Sequence, residues 1–134
     1  LHCTASYPPK FSELNLNALT TLKTQTGRQV GLSDHSPGWT APVAAAALGA
    51  GVIEKHVTFD RALPGPDHAF ALTYEELAET ARALREVAEA LGSDKKAPSE
   101  SETPRRERLR RGIYDPKTGR PAAAGVWLRP EHGE

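Results

Sequence analysis

The chain has 134 residues, of which 38% are hydrophobic, so it can form the core of one ordinary domain and is not expected to be wholly disordered. Seventeen basic and seventeen acidic residues leave no net charge, so we expect no partner that recognises overall charge, such as nucleic acid or an anionic membrane. No apolar stretch reaches the roughly 18 residues of a membrane-spanning helix. The single cysteine excludes an internal disulfide and favours a cytoplasmic location.

The first predicted strand lies within residues 1–7 and stops at two prolines, which cannot donate to a strand ladder. Apolar residues at helical spacing predict a helix over residues 12–23, with Ser12 as its N-cap. A glycine follows this helix and is typical of a helix end. Together these segments predict one strand-helix unit.

Two more units follow, with strands predicted at residues 29–33 and 51–55. The helix of the second unit is Ala-rich and covers residues 41–48, with Thr40 as its N-cap. The helix of the third unit starts after Thr73, which forms a capping box with Glu76. One apolar stripe runs along this last helix as far as Gly92, and it consists of Leu77, Ala81, Leu84, Val87, Ala88 and Leu91.

Strands that alternate with helices pair in parallel through right-handed crossovers, so the predicted fold class is α/β. Three strands alone make a poor domain, because a parallel sheet must be covered on both faces. A complete (β/α)8 barrel takes roughly 250 residues. Residues 1–92 are therefore predicted to be the C-terminal three βα units of a (β/α)8 TIM barrel. The sequence contains no methionine, so we expect it to be an incomplete fragment.

The composition changes after the third helix. Residues 93–104 are polar and charged and predict a linker. Residues 105–134 begin with a cluster of arginines and predict a basic tail of unknown structure. No aromatic platform for stacking bases accompanies the arginines, which again argues against a nucleic-acid partner.

Two histidines, His35 and His56, each follow a predicted strand and precede a helix. Both therefore fall at the carboxyl edge of the sheet, where neighbouring strands lie about 4.8 Å apart. Their side chains can converge on a single metal ion. Period-two alternation places Ser33 on the face of His35, and Glu54 on the face of His56. The ordinary alternative is that each is a strand-end histidine with no ligand.

Three more polar residues lie near the same edge. Asp34 and Asp67 are in loops where capping or turn formation is the ordinary explanation. Asp67 belongs to residues 63–68, where two prolines around a glycine make a stiff loop suited to holding a polar group over a site. Tyr7 ends the first strand, either at this edge or in the core.

The sequence also assigns ordinary roles to two potentially reactive side chains. Cys3 is expected to be a small core residue, since no cationic neighbour lowers its pKa. Lys55 should point away from His56, toward the helical layer or solvent, so we do not expect a Schiff-base lysine.

Several segments, read together, closely resemble the sialic acid synthase (N-acetylneuraminate synthase) family, in order and with the intervals of that family. The resemblance covers about residues 1–92 and rests on residues 2–8, 31–36, 46–50, 52–58 and 63–68. It implies a C–C bond-forming transferase that condenses phosphoenolpyruvate with N-acetylmannosamine or a related 2-acetamido sugar, giving a nonulosonic acid and phosphate. It also implies a divalent metal, Mn²⁺ or Mg²⁺, and a homodimer in the full-length form.

The resemblance implies a role for each matching residue. His35 and His56 match the histidines that bind the metal, and Ser33 matches the serine that contacts the phosphate of phosphoenolpyruvate. Tyr7 and Asp67 match residues that hold the sugar. No catalytic residue is assigned, because the family's catalytic glutamate and phosphate-binding lysines belong to the other barrel half.

Two features depart from the family. Ala5 stands where some members have a ligand-contacting asparagine. The basic tail does not resemble the small antifreeze-like domain that follows the barrel in the family. The loop at residues 63–68 looks more like the sialic or legionaminic acid branch than the pseudaminic one.

Two alternatives stay open. The chain could belong to a sister phosphoenolpyruvate-condensing synthase, whose acceptor would be a phosphorylated pentose or tetrose. It could also be a catalytically inert or binding-only remnant of such an enzyme. Neither the acceptor sugar nor the preference between Mn²⁺ and Mg²⁺ follows from the sequence.

Overall fold

The computed structural model describes residues 1–105, 112–115, 117–118 and 126–128. The chain divides into two compact units, Leu1–Gly92 and Ser93–Glu134. The first unit has the predicted α/β architecture, in which three strands alternate with three α-helices and pair in parallel.

The three strands of the first unit are short. They are β1 (His2–Cys3), β2 (Leu32–Asp34) and β3 (Ile53–Lys55), and they lie in the order β1-β2-β3. Gly31 directly precedes β2, and a Cβ there would lie only 2.5 Å from the carbonyl oxygen of Val52. A glycine at this position therefore allows the second and third strands to pair closely.

The first helix, α1 (Ala18–Thr26), begins later than the sequence predicts. Ser12 is not its N-cap but lies inside a short 3-10 helix, Phe11–Glu13. Asn15 has a φ of 44°, and this left-handed residue separates the 3-10 turn from α1. The predicted end is confirmed, because Gly27 adopts a φ of 61° and its N–H donates to the carbonyl of Lys23.

The second and third helices are α2 (Thr40–Ala47) and α3 (Tyr74–Leu91). Thr40 is the first residue of α2 rather than its N-cap, a shift of one position. The capping box of α3 is confirmed: Glu76 N donates to Thr73 Oγ1 at 3.3 Å, and Thr73 N donates to Glu76 Oε2 at 2.9 Å.

The core of the first unit joins β2 to α1 and α2. Small residues on α2 let its backbone lie close to the sheet and to α3. The buried cluster consists of Leu14, Leu19, Val30, Leu32, Ala41 and Ala45. The stripe of α3 is covered less completely, since Leu77 is 37% and Leu91 54% exposed. It borders an open apolar groove of about 450 Å³ that also includes Val52 and Ile53.

In the second unit, the described residues include a 3-10 turn, Thr103–Arg105, and an antiparallel pair of strands, β4 (Gly112–Tyr114) and β5 (Val126–Leu128). Most of the predicted basic tail at residues 105–134 lies outside the described residues. None of the helices in the described ranges is both long and apolar enough to cross a membrane.

Candidate functional site

Adjacent strands of the sheet bring three of the predicted site residues together. Because β2 and β3 are parallel neighbours, the residues that follow them, His35 and His56, lie side by side with ring centroids 5.1 Å apart. The ring of Tyr7, beyond the end of β1, lies 4.2 Å from that of His35. The carboxyl edge of the sheet therefore holds a compact group of three rings, two of which are imidazoles.

Phe70 completes this group, and sequence reasoning did not single it out. Its ring centroid lies 5.3 Å from that of His56 and 6.2 Å from those of His35 and Tyr7, and the residue is only 3% exposed. The sequence feature that could have indicated it is an aromatic residue in the short apolar run 69–72, directly after the stiff loop. Phe70 gives the histidines an apolar wall that excludes water from one side.

His35 is buried at 7% exposure. This burial, together with the neighbouring His56, lowers the pKa of the His35 imidazole below its ordinary value. At neutral pH the ring is therefore uncharged and presents a nitrogen lone pair, as a metal ligand must.

Cys3 Sγ lies 3.9 Å from His35 Nδ1. The prediction that Cys3 is a core residue is wrong: Cys3 is exposed, because β1 is an outer strand of the described sheet.

Ser33 and Glu54 stand directly opposite each other in the strand register. Ser33 Oγ donates a 2.6 Å hydrogen bond to Glu54 Oε1. A serine has only one hydroxyl proton, so here Ser33 presents acceptor lone pairs to other groups. The pair places a carboxylate on the same side of the strands as the histidines.

A closed loop carries Asp67 to this edge. Thr58 N donates to the Leu72 carbonyl at 2.8 Å, and Leu72 N donates to the His56 carbonyl at 2.9 Å, so the base of the loop is fixed to the histidine itself. Thr58 Oγ1 also lies 2.7 Å from His68 Nδ1. The loop is therefore held at its base and again near its tip.

Asp67 occupies the N-cap position of the 3-10 helix His68–Phe70, but its side chain makes no capping hydrogen bond. Its Oδ2 lies 3.7 Å from His56 Nδ1, beyond hydrogen-bonding distance, and its side chain is 48% exposed. The carboxylate is thus free to accept hydrogen bonds from a ligand. It borders an open pocket of about 230 Å³, which is lined by His56, Val57, Pro66, Asp67, His68 and Ala71.

Lys55 and Asp34 form an ion pair on the opposite face of the strands. Lys55 Nζ lies 2.7 Å from Asp34 Oδ2, and the two side chains are 5% and 0% exposed. Lys55 therefore points away from His56 as predicted, but it is buried rather than in solvent. Asp34 Oδ1 also accepts from Ser36 N at 2.9 Å, which confirms the predicted turn role.

The neighbouring imidazoles of His35 and His56 are donors of a type that could share one divalent cation. Within the described ranges, no group of three or more His, Cys, Asp or Glu side chains is arranged to hold a metal. Two imidazoles, one of them kept neutral by burial, leave the remaining positions to oxygen atoms of water or substrate.

The model of one protein family, the NeuB family, matches residues 1–96. The chain belongs to the NeuB family. It is 43% identical over 113 residues to the N,N'-diacetyllegionaminic acid synthase of Legionella pneumophila, covering 84% of this chain and 32% of that protein. It is also 43% identical over 95 residues to a pseudaminic acid synthase of Campylobacter jejuni, covering 71% of this chain and 28% of that protein.

A solved NeuB-like structure shares the fold. The crystal structure of N-acetylneuraminic acid (sialic acid) synthetase from Leptospira borgpetersenii, in complex with citrate, superposes with a TM-score of 0.70 at 39% identity, covering 81% of this chain and 39% of that one. The resemblance seen in the sequence motifs is thereby confirmed. This chain spans about a third of the length of the curated relatives it matches.

Proposed function

We propose that this NeuB-family chain contributes the metal-binding and sugar-binding edge of a synthase that condenses phosphoenolpyruvate with a 2-acetamido sugar. The product would be a nonulosonic acid, with phosphate released. In this proposal the unit Leu1–Gly92 corresponds to three βα units of a (β/α)8 barrel, and the full-length enzyme is a cytoplasmic homodimer. The family membership and the names of the relatives support the class of reaction.

The observation that carries the proposal is the pairing of His35 with His56 at the carboxyl ends of two parallel strands. This is the edge at which barrel enzymes place their active sites. In the proposal, these two imidazoles hold Mn²⁺ or Mg²⁺. When bound there, the cation would act as a Lewis acid on the aldehyde of the open-chain sugar.

The other side chains have binding and orienting roles in this proposal. Asp67, on its closed loop, accepts hydrogen bonds from sugar hydroxyls, and Tyr7 packs against the sugar from the opposite side. Holding the sugar in one orientation lowers the entropic cost of reaching the transition state. Phe70 keeps bulk water away from one side of the histidines.

Ser33 is proposed to contact the phosphate of phosphoenolpyruvate. Its hydroxyl proton is bonded to Glu54, so a donor bond to the phosphate requires the Ser33 hydroxyl to rotate away from that carboxylate. In the overall reaction the methylene carbon of phosphoenolpyruvate bonds to the sugar aldehyde carbon. A water oxygen adds to the former enol carbon, and the C–O bond to phosphate breaks.

The proposal is tested by phosphate release from phosphoenolpyruvate by the intact protein with Mn²⁺. N-acetylmannosamine and other 2-acetamido sugars are compared with a pentose phosphate and a tetrose phosphate. We expect turnover only with the acetamido sugars, and its loss in His35→Ala and His56→Ala. His2→Gln is the matched control, since His2 Nε2 bonds the Leu14 carbonyl at 2.8 Å rather than the paired histidines. Turnover with the sugar phosphates alone would replace the proposal with the sister synthase, and no turnover at all would indicate an inert chain.

A further inference from the structure

One buried ammonium group connects the two strand ends that carry the histidines. Lys55 Nζ, at the end of β3, donates to Asp34 Oδ2 at the end of β2 and also to the carbonyl oxygen of Ser36. Asp34 and Ser36 are the chain neighbours of His35, and Lys55 is the chain neighbour of His56. The contacts of a single ammonium therefore fix the backbone on both sides of one histidine relative to the backbone of the other.

The turn around His35 is closed on itself as well. Asp34 uses its second carboxylate oxygen, Oδ1, to accept from Ser36 N at 2.9 Å. Both oxygens of the carboxylate thus have partners, one across the strands and one within the turn. With Asp34 and Ser36 held in this way, the backbone that carries the His35 ring has little freedom to move.

The stability of the fold does not by itself explain why this ion pair is buried. Removing two charges from water is costly, and apolar replacements of such pairs are often neutral or stabilising. Alternation along the strands places Lys55 and Asp34 on the face opposite to the histidines, so neither needs to contact a ligand bound there. What the pair supplies is a fixed geometry at the strand ends.

We propose that Lys55, acting through its ion pair with Asp34, is a positioning residue that sets the separation and orientation of His35 and His56. The inference rests on the proposed function, in which the two histidines bind a divalent cation. Groups that orient metal ligands without touching the metal typically alter its affinity by roughly 10- to 100-fold.

The test uses the intact protein and Mn²⁺ alone, titrated by electron paramagnetic resonance, which reports both the bound fraction and the line shape of bound Mn²⁺. The variant Asp34→Asn with Lys55→Met removes both charges and keeps an acceptor oxygen for Ser36 N. We expect thermal stability close to that of the wild type, Mn²⁺ affinity lower by roughly 10- to 100-fold, and a changed line shape. Asp34→Asn with Lys55→Gln also removes both charges but keeps a neutral donor at position 55, so it should lose less affinity and provides a second, milder variant should the first fail to fold.

The matched control is Arg82→Met with Glu86→Gln, which removes an exposed ion pair with a 3.6 Å separation on α3. It should leave both affinity and line shape unchanged. Wild-type Mn²⁺ affinity and line shape in either folded Lys55 variant would overturn the inference. If instead His35→Ala leaves the Mn²⁺ affinity of the protein unchanged, the histidine site itself is wrong and the proposed function fails.

Discussion

The second and third strands look alike in the sequence but differ in their surroundings. Each is three residues long, parallel to the other and followed by a histidine. All of β2 is buried, whereas β3 alternates between half-buried and exposed residues. His35 is accordingly buried, while the side chain of His56 is 37% exposed. The comparison shows that histidines at equivalent strand ends can differ in exposure, one being enclosed by its neighbours while the other faces the open pocket.

The largest expected effect comes from removing either histidine. In the intact enzyme, His35→Ala and His56→Ala should each lower turnover by more than about 100-fold, since losing a ligand should cost more than losing a residue that only orients one. Both variants should fold. Steady-state phosphate release and thermal unfolding measure the two effects. Near-normal activity of either variant with Mn²⁺ would show that the replaced histidine is not part of a site shared by the two strands.

The second prediction concerns packing. Leu32→Ala removes a fully buried side chain from β2 and should lower the free energy of unfolding by about 2–5 kcal/mol. Ile53→Ala removes a half-buried side chain from β3 and should cost about 1–2 kcal/mol, because part of its surface already contacts water. Denaturant unfolding of the intact protein measures both. Equal losses would mean that β3 is covered as fully as β2.

The third prediction concerns Asp67 in the loop after β3. Asp67→Asn preserves the local turn geometry but changes one acceptor oxygen into a donor. We expect kcat/KM for the sugar to fall at least about tenfold, equivalent to about 1.4 kcal/mol, with a much smaller effect on phosphoenolpyruvate and on thermal stability. Kinetics with each substrate varied in turn measure this. Equal losses for both substrates would return Asp67 to the role of an ordinary loop residue.

The smallest effect concerns the connection between the β3 loop and α3. The Arg61 guanidinium, and next the backbone N–H of Thr73, hold the pKa of the Glu76 carboxyl below its ordinary value. A lowered folded-state pKa means that this stabilisation is fully present above the unfolded pKa of about 4.3 and is lost as the pH falls through the folded pKa.

Glu76→Gln keeps the capping acceptor but removes the charge, and should cost about 0.5 kcal/mol at pH 7, since the ion pair is partly exposed. The difference from the wild type should shrink as the pH falls below the unfolded-state pKa of about 4.3, and it should vanish below the lowered folded-state pKa of Glu76. Thermal unfolding across pH 3–7 measures it, with Glu89→Gln, on the exposed side of α3, as the control. A difference that persists at low pH would assign the effect to capping rather than to charge.

Local patterns were sufficient where the interactions are local. The capping box of α3 involves residues three positions apart, and Gly27 ends α1 through a bond to Lys23, so both follow from neighbouring residues. The start of α1 was not predictable in this way. Leu14 is buried in the core from a segment that is not helical, so its apolar character reports burial rather than helical periodicity.

The surroundings of individual side chains also depended on contacts distant in sequence. Cys3 is exposed because its strand is an outer one, and Lys55 is buried because Asp34 lies across the sheet to pair with it. Phe70 reaches the histidines only because the loop after β3 folds back on its own base. In each case a neighbour from another strand or loop sets the environment of the side chain.

The sequence by itself determined the alternation of strands and helices, the family, and the placement of His35 and His56 after successive strands, because periodicity and motifs are local and ordered along the chain. Only the tertiary structure decided which histidine is buried, which charges lie behind the pair, and how close Asp67 comes to His56. Those properties depend on distances between strand ends and loops. Such distances are set by strand pairing and loop closure rather than by any single segment of the chain.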